Sequence, residues 1–332
     1  MPTVFNNPSL IAEGWYWVIP SKEVKKKQIK AVTVVGKDLA VFRTEAGKVR
    51  IFDAYCPHMG SHLAEGKVEG ENLRCFFHQW KYNSEGQCIE IPCFQSKIPD
   101  SAKVKTWKTY EKYNLIWLWL GEAEPPEKFP EIPELEGQEV FVILGKPLFH
   151  QCHPHIVMIN AIDEQHFHSV HNLPGSSLLM KSKIINQNNI HFFNTGKVPG
   201  DLSLFYKIIA KFYGEVWTYA LSYWSGCLGT VTFGPDFLHM YLMFALRPTL
   251  DGKTEGQTIY ITKKRKGFLG YLINLLIVSI TAIGDQYFGV GDTKIFQSIK
   301  FNFQTPLPQD KTVSDYIAHL NGQNYLQINA SK

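Results

Sequence analysis

The feature that most constrains this chain is a pair of short Cys/His segments, Cys56-Pro57-His58 and Cys75-Phe76-Phe77-His78, with sixteen residues between them. The pattern is C-x-H, then C-x2-H. Two loops that each offer one thiolate and one imidazole can clamp a compact metal centre only if the fold brings their tips together. Short strands joined by tight turns make such a frame, and the flanking sequence reads that way. Residues 15–19, 31–35, 39–42 and 49–52 are β-branched or aromatic runs, parted by turn residues such as Gly36 and Gly47. A small all-β domain is expected over residues 1–121.

The spacing alone admits two centres. A zinc site would put all four ligands on one tetrahedral ion. A Rieske [2Fe–2S] centre puts both Cys on one iron and both His on the other, which raises its potential above that of an all-Cys cluster. His62 lies near the first loop but off the spacing and reads as a loop residue. Cys88 and Cys93 read as ordinary thiols, a disulfide between them being the lesser reading.

After this domain comes a Pro- and Glu-rich stretch, residues 122–136, expected as a linker or wrapping segment. Residues 137–332 read as a second domain. Long β-branched and aromatic runs at 140–144, 191–193, 217–223, 228–233, 238–246 and 257–262 alternate with helical stretches, so the class is α+β. Hairpin turns are expected at 234–236 and 250–253. The chemistry of this domain lies in Asn160, Asp163, His166 and His171, spaced N-x2-D-x2-H-x4-H. Two imidazoles about a helical turn apart can reach one ion, and Asp163 sits one turn before the first. Two His and a carboxylate with open positions describe a non-haem Fe(II) oxygenase site. His168 lies between the two histidines but is not expected to ligate. His153 and His155 form an H-x-H without a third partner and read as structural.

Composition narrows the function. Hydrophobic residues are 45% and charged residues 19%, ordinary for a globular protein. A net charge of +4 with no basic stripe gives no support for nucleic-acid binding. The first residues have neither a basic nor an apolar leader segment, so a cytoplasmic location is expected, where six Cys point to metal or free thiols rather than disulfides.

Taken together, Cys56-Pro-His-Met-Gly60, Leu63, Cys75-Phe-Phe-His-Gln-Trp-Lys-Tyr82 and Gly86, followed by the N-x2-D-x2-H-x4-H segment, resemble the catalytic (alpha) component of Rieske non-haem iron oxygenases over nearly the whole chain. Gln79 stands where that family usually has Gly. The resemblance implies cluster-binding loops at 56–62 and 75–82, with Cys56, His58, Cys75 and His78 as the [2Fe–2S] ligands. It implies a helix-grip-like catalytic domain in which His166 and His171 bind a mononuclear Fe(II). Asp163, first read as a metal carboxylate, becomes a hydrogen-bonded electron bridge between the cluster of one subunit and the iron of the next, in a homotrimer. Asn160 becomes a residue beside the metal site. The third iron ligand is expected late in the chain. Asp292, in Asp292-Thr-Lys-Ile295-Phe-Gln297, is favoured over Asp285.

The resemblance also implies O2 as co-substrate and electrons from NAD(P)H through a separate ferredoxin or flavin reductase. The chain has no dinucleotide Gly-rich fingerprint and no four-Cys ferredoxin pattern of its own. Its length fits the homo-oligomeric monooxygenase and demethylase branch, so the expected reaction is hydroxylation or oxidative demethylation of an apolar, cyclic compound. Cis-dihydroxylation of an aromatic ring is the alternative. A non-catalytic Rieske electron-transfer protein and a zinc scaffold are the rivals from other classes. The lysines at 22, 25, 26, 27 and 30 read as a solvated turn, or as a dock for an acidic electron donor. Residues 267–284 are uncharged and approach membrane-spanning length. A spanning helix would carry Asp292 away from the iron. A buried or pocket-capping helix is preferred, with an interfacial helix in peripheral membrane contact as the second reading.

Overall fold

The structure is a computed structural model that describes residues 3–92, 94–171, 179–195, 217–235 and 238–328. Cys93 and the turn at Asp236 lie outside the described residues. The chain divides into two compact units, Trp15–Leu120 and Gly121–Ile328, the latter joined by Met1–Gly14.

In the Trp15–Leu120 unit the strands form three small antiparallel sheets. One runs in the order Thr106–Trp107, Val49–Asp53, Lys37–Arg43, Ile29–Val34. A second places Leu115–Leu120 between Thr109–Lys112 and Gly14–Pro20. All six residues of that central strand are buried, because it has a neighbour on each edge and cover on both faces. The third runs Lys67–Glu69, Asn72–Arg74, Lys81–Tyr82, Cys88–Glu90. Phe42, Phe52, Leu63, Leu73 and Tyr82 fill the core beneath the two Cys/His loops, and Cys56 and Cys75 belong to the same packed cluster. Cys88 is a buried free thiol.

The other unit is built on a seven-stranded antiparallel sheet. Its strands are β1 (Val140–His150), β2 (Met180–Asn186), β3 (Asn189–Asn194), β4 (Trp217–Trp224), β5 (Leu228–Pro235), β6 (Met240–Pro248) and β7 (Thr254–Lys263). The order is β1-β7-β6-β5-β4-β3-β2. The last six thus form a meander and β1 closes it by pairing with β7. Among the described residues four helices accompany the sheet: α1 (Pro154–Asn160), α2 (Glu164–Ser169), α3 (Gly267–Ser298) and α4 (Lys311–Asn321). This is the α+β class expected from the sequence.

Two boundaries differ from the sequence reading. The first residues do not belong with the small β unit. Strand Leu10–Ala12 pairs antiparallel with Tyr325–Gln327, and Phe5 packs against His155, Phe301 and Tyr316. A three-residue strand whose partner lies some three hundred residues away leaves no local signal. Residues 122–136 lie with the larger unit as a wrapping segment. Phe129, Ile132 and Leu135 are buried, and the Glu134 carboxylate accepts hydrogen bonds from His239 at 2.7 Å and Tyr241 at 3.0 Å.

Helix α3 packs on β7, β1 and β6 through one face, with Gly270, Asn274, Ile277, Val278 and Thr281 buried. The buried or pocket-capping helix preferred from the sequence is met on this face alone, since the remaining faces carry exposed apolar side chains. The start of α3 is tied down by Asn274. Its Oδ1 accepts from the Arg265 backbone N–H at 3.3 Å and from the guanidinium at 3.2 Å, and its Nδ2 donates to the Arg265 carbonyl at 3.3 Å. Gly270 permits this fold-back, because a Cβ there would meet the Arg265 carbonyl carbon at 2.8 Å. Asn274→Ala leaves these buried partners unmatched and is expected to cost about 2 kcal/mol in urea unfolding of the larger unit. A change under about 0.5 kcal/mol would mean that water replaces the amide without loss.

Candidate metal centres

The first centre lies on the two loops of the small β unit. The loop at 54–62 follows strand Val49–Asp53, and the loop at 75–80 joins Asn72–Arg74 to Lys81–Tyr82. Cys56 and Cys75 are buried at the loop bases, whereas His58 is exposed and His78 half-exposed at the tips. The two imidazoles lie 4.6 Å apart by ring centroid, and His58 stacks on Trp80 at 4.4 Å and 11°. Sulfurs below and imidazoles above is the division that a two-iron centre requires. A single tetrahedral ion would instead draw all four donors to within about 4 Å of one another. Among the described residues the one group of three or more donors gathered within 4.8 Å is elsewhere, at His166, His171 and Asp292. The donor set thus fits a [2Fe–2S] cluster better than zinc.

The Cys56 sulfur lies 3.0 Å from the Tyr82 hydroxyl. Burial pushes the Cys56 thiol up, the Tyr82 hydrogen bond pulls partly back, and Cys75 beside it adds to the rise. Burial and Cys56 both push the Tyr82 phenol up, so it stays protonated. Against a metal-bound thiolate Tyr82 is then the donor. Nothing in the spacing pointed to this contact; the antiparallel register that sets Tyr82 opposite Leu73 creates it. Arg74 was also missed. Its guanidinium donates to the Gln79 carbonyl at 2.7 Å and to the Glu69 and Glu90 carboxylates, which fixes the base of the second loop. Gln79 adopts φ of +61°, in the left-handed region that favours glycine. Its side chain donates to the Phe76 carbonyl at 2.6 Å, closing the loop on itself. That hydrogen bond offsets the backbone strain of a side-chain-bearing residue at this position. His62 caps the short helix Leu63–Glu65, accepting from the Ala64 N–H, so it is structural, as its spacing suggested.

The second centre lies in the larger unit. His166 sits in α2, His171 just beyond it and Asp292 in α3. The two Nε2 atoms are 3.1 Å apart, and Asp292 Oδ1 lies 3.1 Å from His171 Nε2 and 3.5 Å from His166 Nε2. The Asp163 carbonyl accepts from His166 Nδ1 at 2.9 Å. Nδ1 is thus the donor, and in the neutral ring the lone pair lies on Nε2, which faces the rest of the group. Asp292 Oδ1 is buried without a well-placed hydrogen-bond donor. Two imidazole nitrogens and a carboxylate oxygen this close form a donor set suited to one shared cation. Donors about 2.1 Å from one ion at right angles lie about 3 Å apart, so the group fits one face of a six-coordinate ion.

The charges agree. Burial alone would raise the Asp292 carboxyl, but the facing imidazoles and Asn160 outweigh it and hold it below its ordinary value. Burial keeps His171 neutral, outweighing the pull of Asp292. Asn160 Nδ2 lies 3.2 Å from His166 Nε2, so this amide touches the group from the end of α1. Gly291 allows the close approach of α3, since a Cβ there would meet Val170 at 2.8 Å and His171 at 3.6 Å, whereas Gly289 faces open space.

The remaining candidates fall outside the group. Asp285 lies two turns earlier on α3, where it accepts from the Tyr260 hydroxyl at 2.7 Å, and burial raises its carboxyl. Asp163 is the N-cap of α2. Its Oδ1 accepts from the Gln165 N–H at 2.9 Å and the His166 N–H at 3.4 Å. His168 is exposed. His153 caps α1, and His155 accepts from the Asn6 N–H at 3.0 Å, so both are structural.

A family model described as Rieske [2Fe-2S] domain matches residues 14–110. Cholesterol 7-desaturase nvd 1 of Ciona intestinalis is 36% identical over 52% of this chain and 37% of its own length. The 3-ketosteroid-9-alpha-monooxygenase oxygenase component of Rhodococcus rhodochrous is 35% identical over 40% of this chain and 35% of its own length. The matches thus span well under two thirds of these relatives. Among solved structures, Pseudomonas putida CBB5 NdmA superposes with a TM-score of 0.68 at 16% identity, covering 96% of this chain and 97% of that one. Dicamba monooxygenase gives 0.61 at 17% identity, covering 95% and 98%. These likenesses extend the shared fold over both units.

Three variants test the geometry. Tyr82→Phe removes a donor to sulfur, which stabilises the reduced cluster. It should lower the midpoint potential by about 60 mV, the one-electron equivalent of about 1.4 kcal/mol, by spectroelectrochemistry. Asp292→Ala should lower affinity for the single iron by more than the roughly 10–100-fold cost of losing an outer partner. Asp285→Asn should retain that iron, and metal analysis after dialysis separates the two.

Proposed function

From the premise that the chain belongs to the Rieske oxygenases, we propose that it is a terminal oxygenase that inserts one atom of O2 into an apolar, cyclic organic substrate, by hydroxylation or oxidative demethylation. The observation that carries this reading is the bare His166/His171/Asp292 group, a two-His, one-carboxylate face with an unpartnered carboxylate oxygen, in the same chain as a Rieske domain. A pure electron-transfer protein would have no use for it. When bound, the [2Fe–2S] cluster on Cys56, His58, Cys75 and His78 supplies single electrons, and Fe(II) on His166, His171 and Asp292 supplies open positions at which O2 is reduced.

The protein's own residues set the geometry of this chemistry. The Asp163 carbonyl holds the His166 ring in one tautomer, and the Asp163 carboxylate caps the helix that carries it. Asn160 presents an amide to the same ligand face, where it can orient a polar atom beside the metal. Phe167, Tyr219 and Phe288 stand in ring contact with the histidines or with each other, which keeps the surroundings apolar and limits water. The Tyr219 hydroxyl is satisfied by the Ala161 carbonyl at 3.0 Å.

Electrons come from a separate ferredoxin or flavin reductase drawing on NAD(P)H. The exposed apolar side chains Met59, Phe76 and Phe77 beside His58 and His78 offer that partner, or a neighbouring subunit, a desolvated contact. The reading includes a homotrimer in which Asp163 links the cluster of one subunit to the iron of the next. It also includes a cytoplasmic location. The steroid-directed names of the relatives favour a polycyclic substrate over a single ring.

The experiment is O2 uptake with a generic reductase across sterols and smaller cyclic compounds, with mass analysis of products. Addition of one oxygen or loss of a methyl group supports monooxygenation; addition of two oxygens would replace it with cis-dihydroxylation. Asp163 is tested by a pair of variants, because capping and electron transfer both need its carboxylate. Asp163→Ser keeps an N-cap acceptor. It should hold metals and fold at wild-type level while turnover falls by a hundredfold or more. Wild-type turnover in Asp163→Ser would reduce Asp163 to a cap.

A further inference from the structure

Helix α3 has a second face for which the oxygenase reading has no use. Phe268 is 80% exposed, Leu269 70%, Leu276 59%, Ile283 68% and Tyr287 73%. No charged residue occurs from Gly267 to Gly284. Exposed large apolar side chains are ordinary singly, but not as a strip along most of a helix. The strip is not left over from a helix that failed to pack, because the opposite face is closed on the sheet by Ile277, Val278 and Thr281 and pinned at its start by Asn274. Immediately before the helix stand Lys263, Lys264, Arg265 and Lys266. Arg265 is folded back on Thr262 and Asn274, whereas the three lysines are exposed, Lys264 reaching Glu139 at 3.2 Å.

We propose that this face of α3, with the lysines at its start, docks the protein on an anionic lipid bilayer. The helix is long and apolar enough to cross a membrane, but crossing would strip its buried face from β7 and draw Asp292 from the two histidines. It therefore lies in the interfacial plane, apolar side chains among the acyl chains and lysines among the headgroups. Charge selects this occupant over a second copy of the chain. An apolar contact between two copies would bring like-charged lysine runs together or leave them idle, whereas phosphate-bearing headgroups match them. The exposed rings of Phe268 and Tyr287 suit the same boundary.

The inference stands apart from the catalytic reading, since binding is measured without turnover. The two meet in one consequence, which rests on the metal assignment. Ile283 and Asp292 are nine residues apart on one helix, or about 14 Å, so a membrane-dissolved substrate would be met close to the metal group.

The test is flotation of the metal-loaded protein with vesicles of phosphatidylcholine alone and of mixed phosphatidylserine and phosphatidylcholine. Wild type should float with the mixed vesicles, less so at high salt, and bind neutral ones at least about tenfold more weakly. Lys263→Gln/Lys264→Gln/Lys266→Gln should lower partitioning on mixed vesicles about a hundredfold. Leu269→Glu/Leu276→Glu should abolish flotation while iron content and circular dichroism stay at wild-type level, because both side chains already face solvent. Wild type that stays at the bottom of the gradient overturns the proposal, as does a leucine variant that floats like wild type. A leucine variant that loses an oligomeric state which wild type holds without lipid would assign the face to a second copy instead.

Discussion

Three lone-pair-bearing atoms face one another at 3.1–3.5 Å in the larger unit, and that arrangement is the constraint on which the rest of the structure depends. His166 Nε2, His171 Nε2 and Asp292 Oδ1 converge on one point. The protein holds them together with unrelated devices: a carboxylate cap that starts α2, a carbonyl that accepts from His166 Nδ1 and orients the ring, and a glycine that lets α3 approach. Each is an ordinary structural contact elsewhere. Here their sum is a cavity for positive charge, and the net lowering of the Asp292 carboxyl keeps the anion available.

The small β unit solves a different problem. Its donors must be spread over two metal atoms, so sulfurs are buried and imidazoles face outward. The buried half needs hydrogen bonds to keep thiolate charge tolerable in a packed core, and Tyr82 supplies one. The loop itself must turn sharply between Phe76 and Lys81. Gln79 makes that turn in a left-handed conformation and offsets the strain with its own amide, while Arg74 pins its carbonyl from below. A departure from the expected glycine thus alters the means of closing the loop without touching a ligand.

Helix α3 couples these chemical demands to an unusual surface. One face is a packing face, one late turn presents Asp292, and the remainder is apolar and exposed. A helix with apolar residues on all sides is ordinarily buried. That this one is not buried follows from the sheet offering only one side for it to rest on.

Much was legible beforehand, for a physical reason. Ligand spacing within a loop or a helical turn is a local property, so Cys56/His58, Cys75/His78 and His166/His171 could be paired from sequence alone, and the strand runs marked an α+β chain. Asp163 shows the limit of such reading. Its spacing allowed a ligand and the resemblance implied a bridge; only the tertiary structure reveals that one of its carboxylate oxygens caps α2. The rest was decided by distance-spanning packing. Asp292 and Asp285 share a helix face in the sequence; Tyr260 claims one and the histidines meet the other. Leu10–Ala12 finds its partner at the far end of the chain, and Tyr82 finds Cys56 through strand register. The residue types that can hold metal were written in the chain. Which of them converge, and which side of α3 meets solvent, only the tertiary structure decided, because convergence depends on contacts that no local pattern encodes.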